Sequence, residues 1–382
     1  MNENLKIGVV CYPTYGGSGV IATELGIALA KKGHEVHFIS YDQPFRLDIF
    51  SENIHYHEVL VPDYPLFEYA PYELNLTSKL VDVAIHEKLN LLHVHYAIPH
   101  ASAAVNAQQI LLSYGIKIPI VTTLHGTDIT LLGKDKSFKP VIEYAINKSD
   151  AITVVSESLK KDTLKNFNIT KKINTISNFI DINIYKNNYD VTLKKTFVKN
   201  DEYLITHISN FRKVKRVCDV IRIFQKVNSK IPSKLLMIGD GPDRIRAETL
   251  ARDLGIEDKV RFLGKINITY KILACSDIFV LPSESESFGL VALEAMASKN
   301  AIVSTNIGGI SELNIDKKTG FLSKVGDIEK MTNDIILLLQ KPVLLEKFKT
   351  NAYERSSKFD LQEILPMYLN IYYELCKPQN IK

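Results

Sequence analysis

The sequence has little cysteine, no marked excess of either charge and no long apolar run, and each shortage removes a class of protein. Four cysteines, Cys11, Cys218, Cys275 and Cys376, lie far apart in 382 residues. No C-x-x-C pair exists, so neither a zinc knuckle nor a thioredoxin-type redox motif can be drawn. Free thiols in a reducing cytoplasm are expected. Lys and Arg number 47 against 43 Asp and Glu, a net charge of +4. The cations are spread along the chain rather than gathered in a stripe, which argues against a nucleic-acid binder and leaves an anionic small molecule compatible. Residues 89–116 carry no Asp, Glu, Lys or Arg. They include His93, His95, Pro99, His100, Asn106, Gln108 and Gln109, however, and are too polar for a transmembrane helix. The apolar run at 7–11 meets Pro13 and a glycine cluster, which reads as a first core strand rather than a signal sequence. A soluble, cytoplasmic protein with no stable membrane association is expected. The chain also lacks G-x-G-x-x-G and Walker A patterns. Gly239 and Gly241 follow a strand-like run, but position 244 is Arg, which counts against a dehydrogenase.

Apolar residues make up 46% and charged residues 24% of the chain, the balance of a globular protein. At roughly 150 residues per domain the length suggests two domains. Strand-like runs at 6–11, 34–40, 91–96, 118–124, 151–156 and 172–177 alternate with helical patterns at 20–32, 101–113 and 157–166. A polar stretch at 183–201 follows. A second alternation has strands at 203–209, 234–239, 260–263, 278–282 and 301–304, with helices at 217–228, 244–254 and 290–298. Runs rich in Val and Ile without strict alternation suit parallel strands covered on both faces. The expected fold class is therefore α/β, with two Rossmann-like, doubly wound domains at 1–180 and 181–360. A C-terminal helix at 361–382 is expected to pack back across the domains. In such sheets ligands bind beyond the carboxyl ends of the strands, so motifs are sought there.

Four stand out. Gly16-Gly17-Ser18-Gly19 follows the first strand and opens a helix, where free N–H groups can meet an anion; a plain tight turn is the alternative. His125, in Thr122-Thr123-Leu124-His125-Gly126, sits where a strand runs into a polar loop. His93 and His95 point to one face of a strand but suggest no third metal ligand. Asn210-Phe211-Arg212-Lys213-Val214-Lys215-Arg216 places four cations after the first strand of the second half. They suit a diphosphate clamp or, alternatively, a solvated surface. Finally, the block 282–297 carries Glu286 and Glu294 eight residues apart, flanking Phe288 and Gly289. Carboxylates so placed can accept hydrogen bonds from sugar hydroxyls, or simply cap a helix.

The block 282–297, the Lys cluster, Gly308-Gly309…Glu312 and Asn178-Phe179-Ile180-Asp181 together resemble family 4 of the retaining glycosyltransferases. The resemblance covers nearly the whole chain and implies a GT-B fold, with two Rossmann-like domains facing across a cleft. The strings C-Y-P-T-Y-G-G-S-G-V, L-H-V-H-Y-A-I-P-H-A, T-T-L-H-G-T-D-I-T and I-S-N-F-R-K-V-K-R-V are similar to a malate-transferring group within that family. That likeness implies transfer of N-acetylglucosamine from UDP-N-acetylglucosamine (UDP-GlcNAc) to L-malate, the first step of bacillithiol biosynthesis. Domain 1–180 would then hold the acceptor and 181–360 the nucleotide sugar.

The family's E-x7-E motif falls on Glu286 and Glu294. The resemblance implies that Glu286 and the Phe288-Gly289 backbone bind sugar hydroxyls and that Glu294 takes the ribose. It places Lys215, with Arg212, on the diphosphate beside the Gly17 amide, His125 near the sugar's 6-hydroxyl, and Gly264 by the uracil. Asn210 stands where many members have Arg, as in the malate-transferring group. Ser18, Tyr96 and Thr122 are the expected acceptor contacts. Lys299-Asn300-Ala301 replaces the family's usual G-x-P. No two aspartates are two apart, so the D-x-D metal motif of the other large glycosyltransferase fold is missing, and a transfer needing no metal or other cofactor is expected. The sequence leaves open a homo-oligomer, a different acceptor (lipid, inositol phosphate or polysaccharide) and a non-catalytic sugar-nucleotide-binding module.

Overall fold

A computed structural model describes residues 4–14, 16–60, 71–131, 133, 135–199 and 201–377. Tyr15 of the first quoted string, and the last five residues of the expected C-terminal segment, lie outside them. The chain forms two compact units, 1–178 with 362–382, and 179–361.

The first unit contains β1 (Lys6–Val10), α1 (Gly17–Lys31), β2 (Glu35–Ser40), β3 (Ile54–Glu58), α2 (Tyr72–His86), β4 (Leu91–His95) and α3 (Ser102–Ser113). It continues with β5 (Ile120–Leu124), α4 (Lys139–Lys148), β6 (Ala151–Val154), α5 (Glu157–Asn166) and β7 (Ile173–Thr175). The seven strands form one sheet in the order β3-β2-β1-β4-β5-β6-β7. All pairs are parallel. β4 and β5 are buried along their whole length and β1 from Ile7 onward, as expected of central parallel strands covered on both faces, although β4 carries His93 and His95 on one of them. β3 has no counterpart in the sequence reading. Its Ile-His-Tyr-His-Glu pattern is half-exposed at the sheet edge, and too polar to announce a buried strand.

The second unit contains α6 (Val191–Lys195), β8 (Tyr203–Ile208), α7 (Val217–Asn228), β9 (Ser233–Ile238), α8 (Arg244–Asp253), β10 (Val260–Gly264), α9 (Thr269–Cys275) and β11 (Ile278–Leu281). Then follow α10 (Leu290–Ala297), β12 (Ala301–Thr305), α11 (Ile310–Leu313), β13 (Gly320–Ser323), α12 (Ile328–Gln340) and α13 (Pro342–Ser356). Its six parallel strands run β10-β9-β8-β11-β12-β13. α7 shows why these sequences fold here. Val217, Val220, Ile221, Phe224 and Val227 recur at helical spacing, and all are buried in the unit's core. Each contributes about 1.5–3 kcal/mol by leaving water.

The last helix, α14 (Leu361–Cys376), is grouped with the first unit from residue 362 onward. Tyr368 and Tyr372, one turn apart, are buried, and the Tyr372 hydroxyl lies 2.6 Å from Nδ1 of His93 on β4. Nε2 of His93 meets the Thr123 hydroxyl at 2.7 Å, so both its nitrogens serve the packing of strands and helix. Three of the four free cysteines are buried, and desolvation pushes Cys11 up to about 12. No helix among the described residues is long and apolar enough to cross a membrane.

Candidate active site

In an open parallel sheet a crevice forms where the strand order reverses, because consecutive connections there leave to opposite faces. In the second unit the reversal lies between the neighbours β8 and β11. The loops following these two strands are 209–216 and 282–289, which contain the cationic run and Glu286 of the block singled out above. Lys215 Nζ lies 2.6 Å from Glu286 Oε1. Both groups are mostly shielded from water, with side-chain exposures of 20% and 9%. The two loops are also tied through their backbones, Glu284 N–H donating to the Val214 carbonyl at 2.7 Å.

Of the other cations, Arg216 is structural. It adopts a left-handed conformation (φ 51°) at the entrance to α7 and binds both Asp219 and Glu284. Arg212 and Lys213 are exposed, as is Asn210. His207, which sequence reading missed, braces the loop from below. One ring nitrogen contacts the Val280 carbonyl and the other the Ser209 hydroxyl, each at 2.8 Å. Burial drives its pKa down to about 4, so it is a neutral link between β8 and β11.

Glu286 is held by its main chain. Gly308 and Gly309 pass so close that a Cβ at either would stand 2.1 Å from the carbonyl oxygen of Glu286 or Ser287, respectively. Gly309 N–H donates to that Glu286 carbonyl at 2.9 Å. Gly289, at φ 92°, turns the chain into α10, on which Glu294 is buried. The Phe288 ring packs edge-on against Phe359 at 5.6 Å, so this residue offers a ligand only its backbone. Gly264, left-handed at φ 67°, ends the edge strand β10 and accepts from Gly239 N–H.

In the first unit the reversal lies between β1 and β4. The loop after β1 supplies Gly17, at the first turn of α1, and Ser18. The loop after β4 supplies Tyr96, whose hydroxyl donates to Ser18 Oγ at 2.7 Å. Tyr96 has φ 86°, a conformation costly for a residue with a side chain and concentrated at functional sites. His125, at the end of the neighbouring β5, lies with its ring 5.3 Å from that of Tyr96. Its Nε2 meets Nδ1 of His95 at 2.8 Å. Burial pushes His125 down to about 3, so it acts through hydrogen bonding rather than charge.

Asp128 ties the loops together without having been expected to. It accepts from Ala97 N–H at 2.8 Å and Gly126 N–H at 3.1 Å. The expectation for Thr122 is corrected. Its side chain is fully buried and its hydroxyl lies 2.7 Å from Ser149 Oγ, so it belongs to the packing beneath the site. Thr123, on the opposite side of β5, is equally buried, against His93 and Thr153.

Residues 15–184 match the family described as Glycosyltransferase Family 4, and residues 189–355 match Glycosyl transferases group 1. The chain is 46% identical over 98% of its length, and 98% of the relative's, to N-acetyl-alpha-D-glucosaminyl L-malate synthase of Bacillus anthracis. It is 30% identical to an uncharacterised glycosyltransferase of Methanocaldococcus jannaschii, over 81% of this chain and 82% of that one. Among solved structures, that of Anabaena HepE in complex with UDP and glucose superimposes with a TM-score of 0.83 at 19% identity. The match covers 96% of this chain and 99% of that one. The chain therefore belongs to the family 4 glycosyltransferases, sugar-transferring enzymes of the GT-B fold.

Proposed function

We propose that this enzyme transfers N-acetylglucosamine from UDP-GlcNAc to the hydroxyl of L-malate with retention of configuration, the opening step of bacillithiol biosynthesis. The observation that carries the donor half is the shielded Lys215–Glu286 pair at the strand-order reversal of the second unit. The full-length likeness to the Bacillus anthracis synthase supports the choice of sugar and acceptor.

In this reading the bond from the sugar's anomeric carbon to the diphosphate breaks while a bond to the malate oxygen forms on the same face. The malate proton passes to the departing phosphate oxygen, so no protein nucleophile is required. The protein contributes positioning and charge stabilisation. Lys215 neutralises the diphosphate as it leaves, with Arg212 and the Gly17 amide assisting. Glu286 and the backbone of Phe288 and Gly289 take sugar hydroxyls, His125 the 6-hydroxyl and Glu294 the ribose. Asn210 and Gly264 complete the donor contacts, with Gly264 at the uracil.

The hydroxyls of Ser18 and Tyr96 remain the acceptor candidates; a dicarboxylate needs such donors, and an acceptor lacking a carboxylate would leave them unpaired. We propose further that no metal takes part and that the enzyme works in the cytoplasm.

The test is UDP release from UDP-GlcNAc with L-malate, D-malate, inositol phosphate or water, with the product identified by mass. Release with L-malate alone is the expected result, unchanged after chelator treatment. Release with another acceptor instead would sink the malate assignment, and silence with all four would leave a sugar-nucleotide-binding module.

A further inference from the structure

At the outer edge of the first unit's sheet, an imidazole cluster occupies one face of β2 and the edge strand β3. His37 is in register with His55, and Ile39 with His57. Since side chains two apart share a face, Glu35, His37, His55 and His57 all emerge on the same side. We propose that Glu35, His37 and His55 form a site for a first-row divalent cation in tetrahedral coordination, zinc above all, with His57 supporting His37 from behind.

Three observations converge. Oε1 of Glu35 lies 3.2 Å from Nε2 of His37 and 3.5 Å from Nε2 of His55, and the three ligand atoms fall within 4.8 Å of one another. Ligand bonds of about 2.0–2.1 Å to a tetrahedral zinc put neighbouring donors about 3.3–3.4 Å apart, so the two edges from Glu35 already have the length the polyhedron needs.

Second, His37 is fully buried, yet its Nε2 has no hydrogen-bond partner, the nearby carboxylate notwithstanding. A buried polar atom without a partner is costly, and a cation on its lone pair would remove that cost.

Third, the other nitrogen of the same ring is fixed. Nδ1 of His37 lies 3.0 Å from Nε2 of His57. A ligand imidazole that donates through its second nitrogen has its tautomer and plane set for metal binding.

His55 is 48% exposed, which leaves an entry path and room for water as the fourth ligand. Lys6 Nζ straddles the carboxylate, 2.9 Å from Oε2 of Glu35 and 3.1 Å from Oε1, so metal binding requires it to release Oε1 and keep Oε2. Two imidazoles and a carboxylate suit zinc, cobalt or nickel rather than magnesium or calcium. Glu35 opens β2, at the end of the sheet opposite the loops that follow β1, β4 and β5. The cation would therefore have no step in sugar transfer. It would pin the edge strand β3 to β2.

The test uses the full-length protein, stripped with a chelator and titrated with cobalt(II) chloride and separately with zinc chloride. One equivalent of cobalt with the intense visible bands of a tetrahedral ion is expected, together with a rise in Tm on adding zinc. His55→Ala and Glu35→Gln should each abolish the bands and weaken zinc binding at least about tenfold, by analogy with losses at supporting positions of known sites. His55→Ala should leave UDP release unchanged. Far-ultraviolet circular dichroism checks that each variant is folded. Failure of the wild type to bind one equivalent overturns the proposal. So does equal binding by His55→Ala, which would place the ion elsewhere, including at His37, His57 and Glu87.

Discussion

The contact between Gly308 and the Glu286 backbone makes the sharpest test of how this site is built. In Gly308→Ala the new Cβ would start 2.1 Å from the Glu286 carbonyl oxygen, where ordinary contacts begin at 3.4 Å. One backbone must retreat by about 1.3 Å, and neither is the free end of a flexible side chain. A misplacement of about 1 Å at a positioning group can cost about 10²-fold in rate. The same substitution also strains the backbone, because Gly308 has φ 56°. A left-handed conformation costs a residue with a Cβ roughly 1–2 kcal/mol.

The two effects separate with Gly255→Ala as the control. Gly255 has φ 65°, but nothing lies within 4 Å of its Cβ position. Both variants should therefore lose stability, with Gly308→Ala at least as affected, while only Gly308→Ala loses turnover. The assay is UDP release at saturating donor and acceptor, alongside thermal unfolding. Activity of Gly308→Ala within about threefold of wild type, against the ~10²-fold loss expected, would refute the claim that this close approach positions Glu286.

Replacing Lys215 with Met should lower kcat by about 10²–10³, the usual cost of removing one charge stabiliser, in steady-state UDP release. Tyr372→Phe leaves Nδ1 of buried His93 without its partner at 2.6 Å and should destabilise the protein by about 1–3 kcal/mol in urea unfolding. Burial raises Asp128 from 3.8 to about 6, against the pull of the backbone N–H groups it accepts from. The folded state then binds this proton more tightly than the unfolded one. Its favourable contribution is complete below pH 3.8 and is lost as pH rises through about 6. The Tm of Asp128→Asn relative to wild type should accordingly increase between about pH 4 and about pH 7 and level off above it, and a flat difference across that window would contradict the assigned burial.

Much of this architecture is legible in the order of residues. The helices over Val217–Asn228 and Glu157–Asn166 coincide with their apolar periodicity, and most parallel strands lie within a few residues of their Val- and Ile-rich runs. The edge strands β3 and β13 are absent from the sequence reading. β3 is polar and half-exposed, and β13 is a run of only four residues, so neither stands out as a Val- and Ile-rich stretch. At the site, glycines and charged residues after strands identified the loops, because helix entry and close approach require particular residue types. Thr122 shows the limit. The neighbouring residues Thr122 and Thr123 are the same amino acid, and only the strand's direction and its helical cover decide what each meets.

The sequence by itself therefore determined the two α/β halves, the loops that hold the candidate site residues, and the family. These depend on periodicity and on residue types that local backbone geometry demands. The tertiary structure alone decided which residues meet. It paired Lys215 with Glu286 from 71 positions away, seated two glycines on the Glu286 main chain, and set His37 against His55 across neighbouring strands. Such contacts depend on strand order and register, which are fixed by the packing of the whole sheet and leave no local mark on the chain.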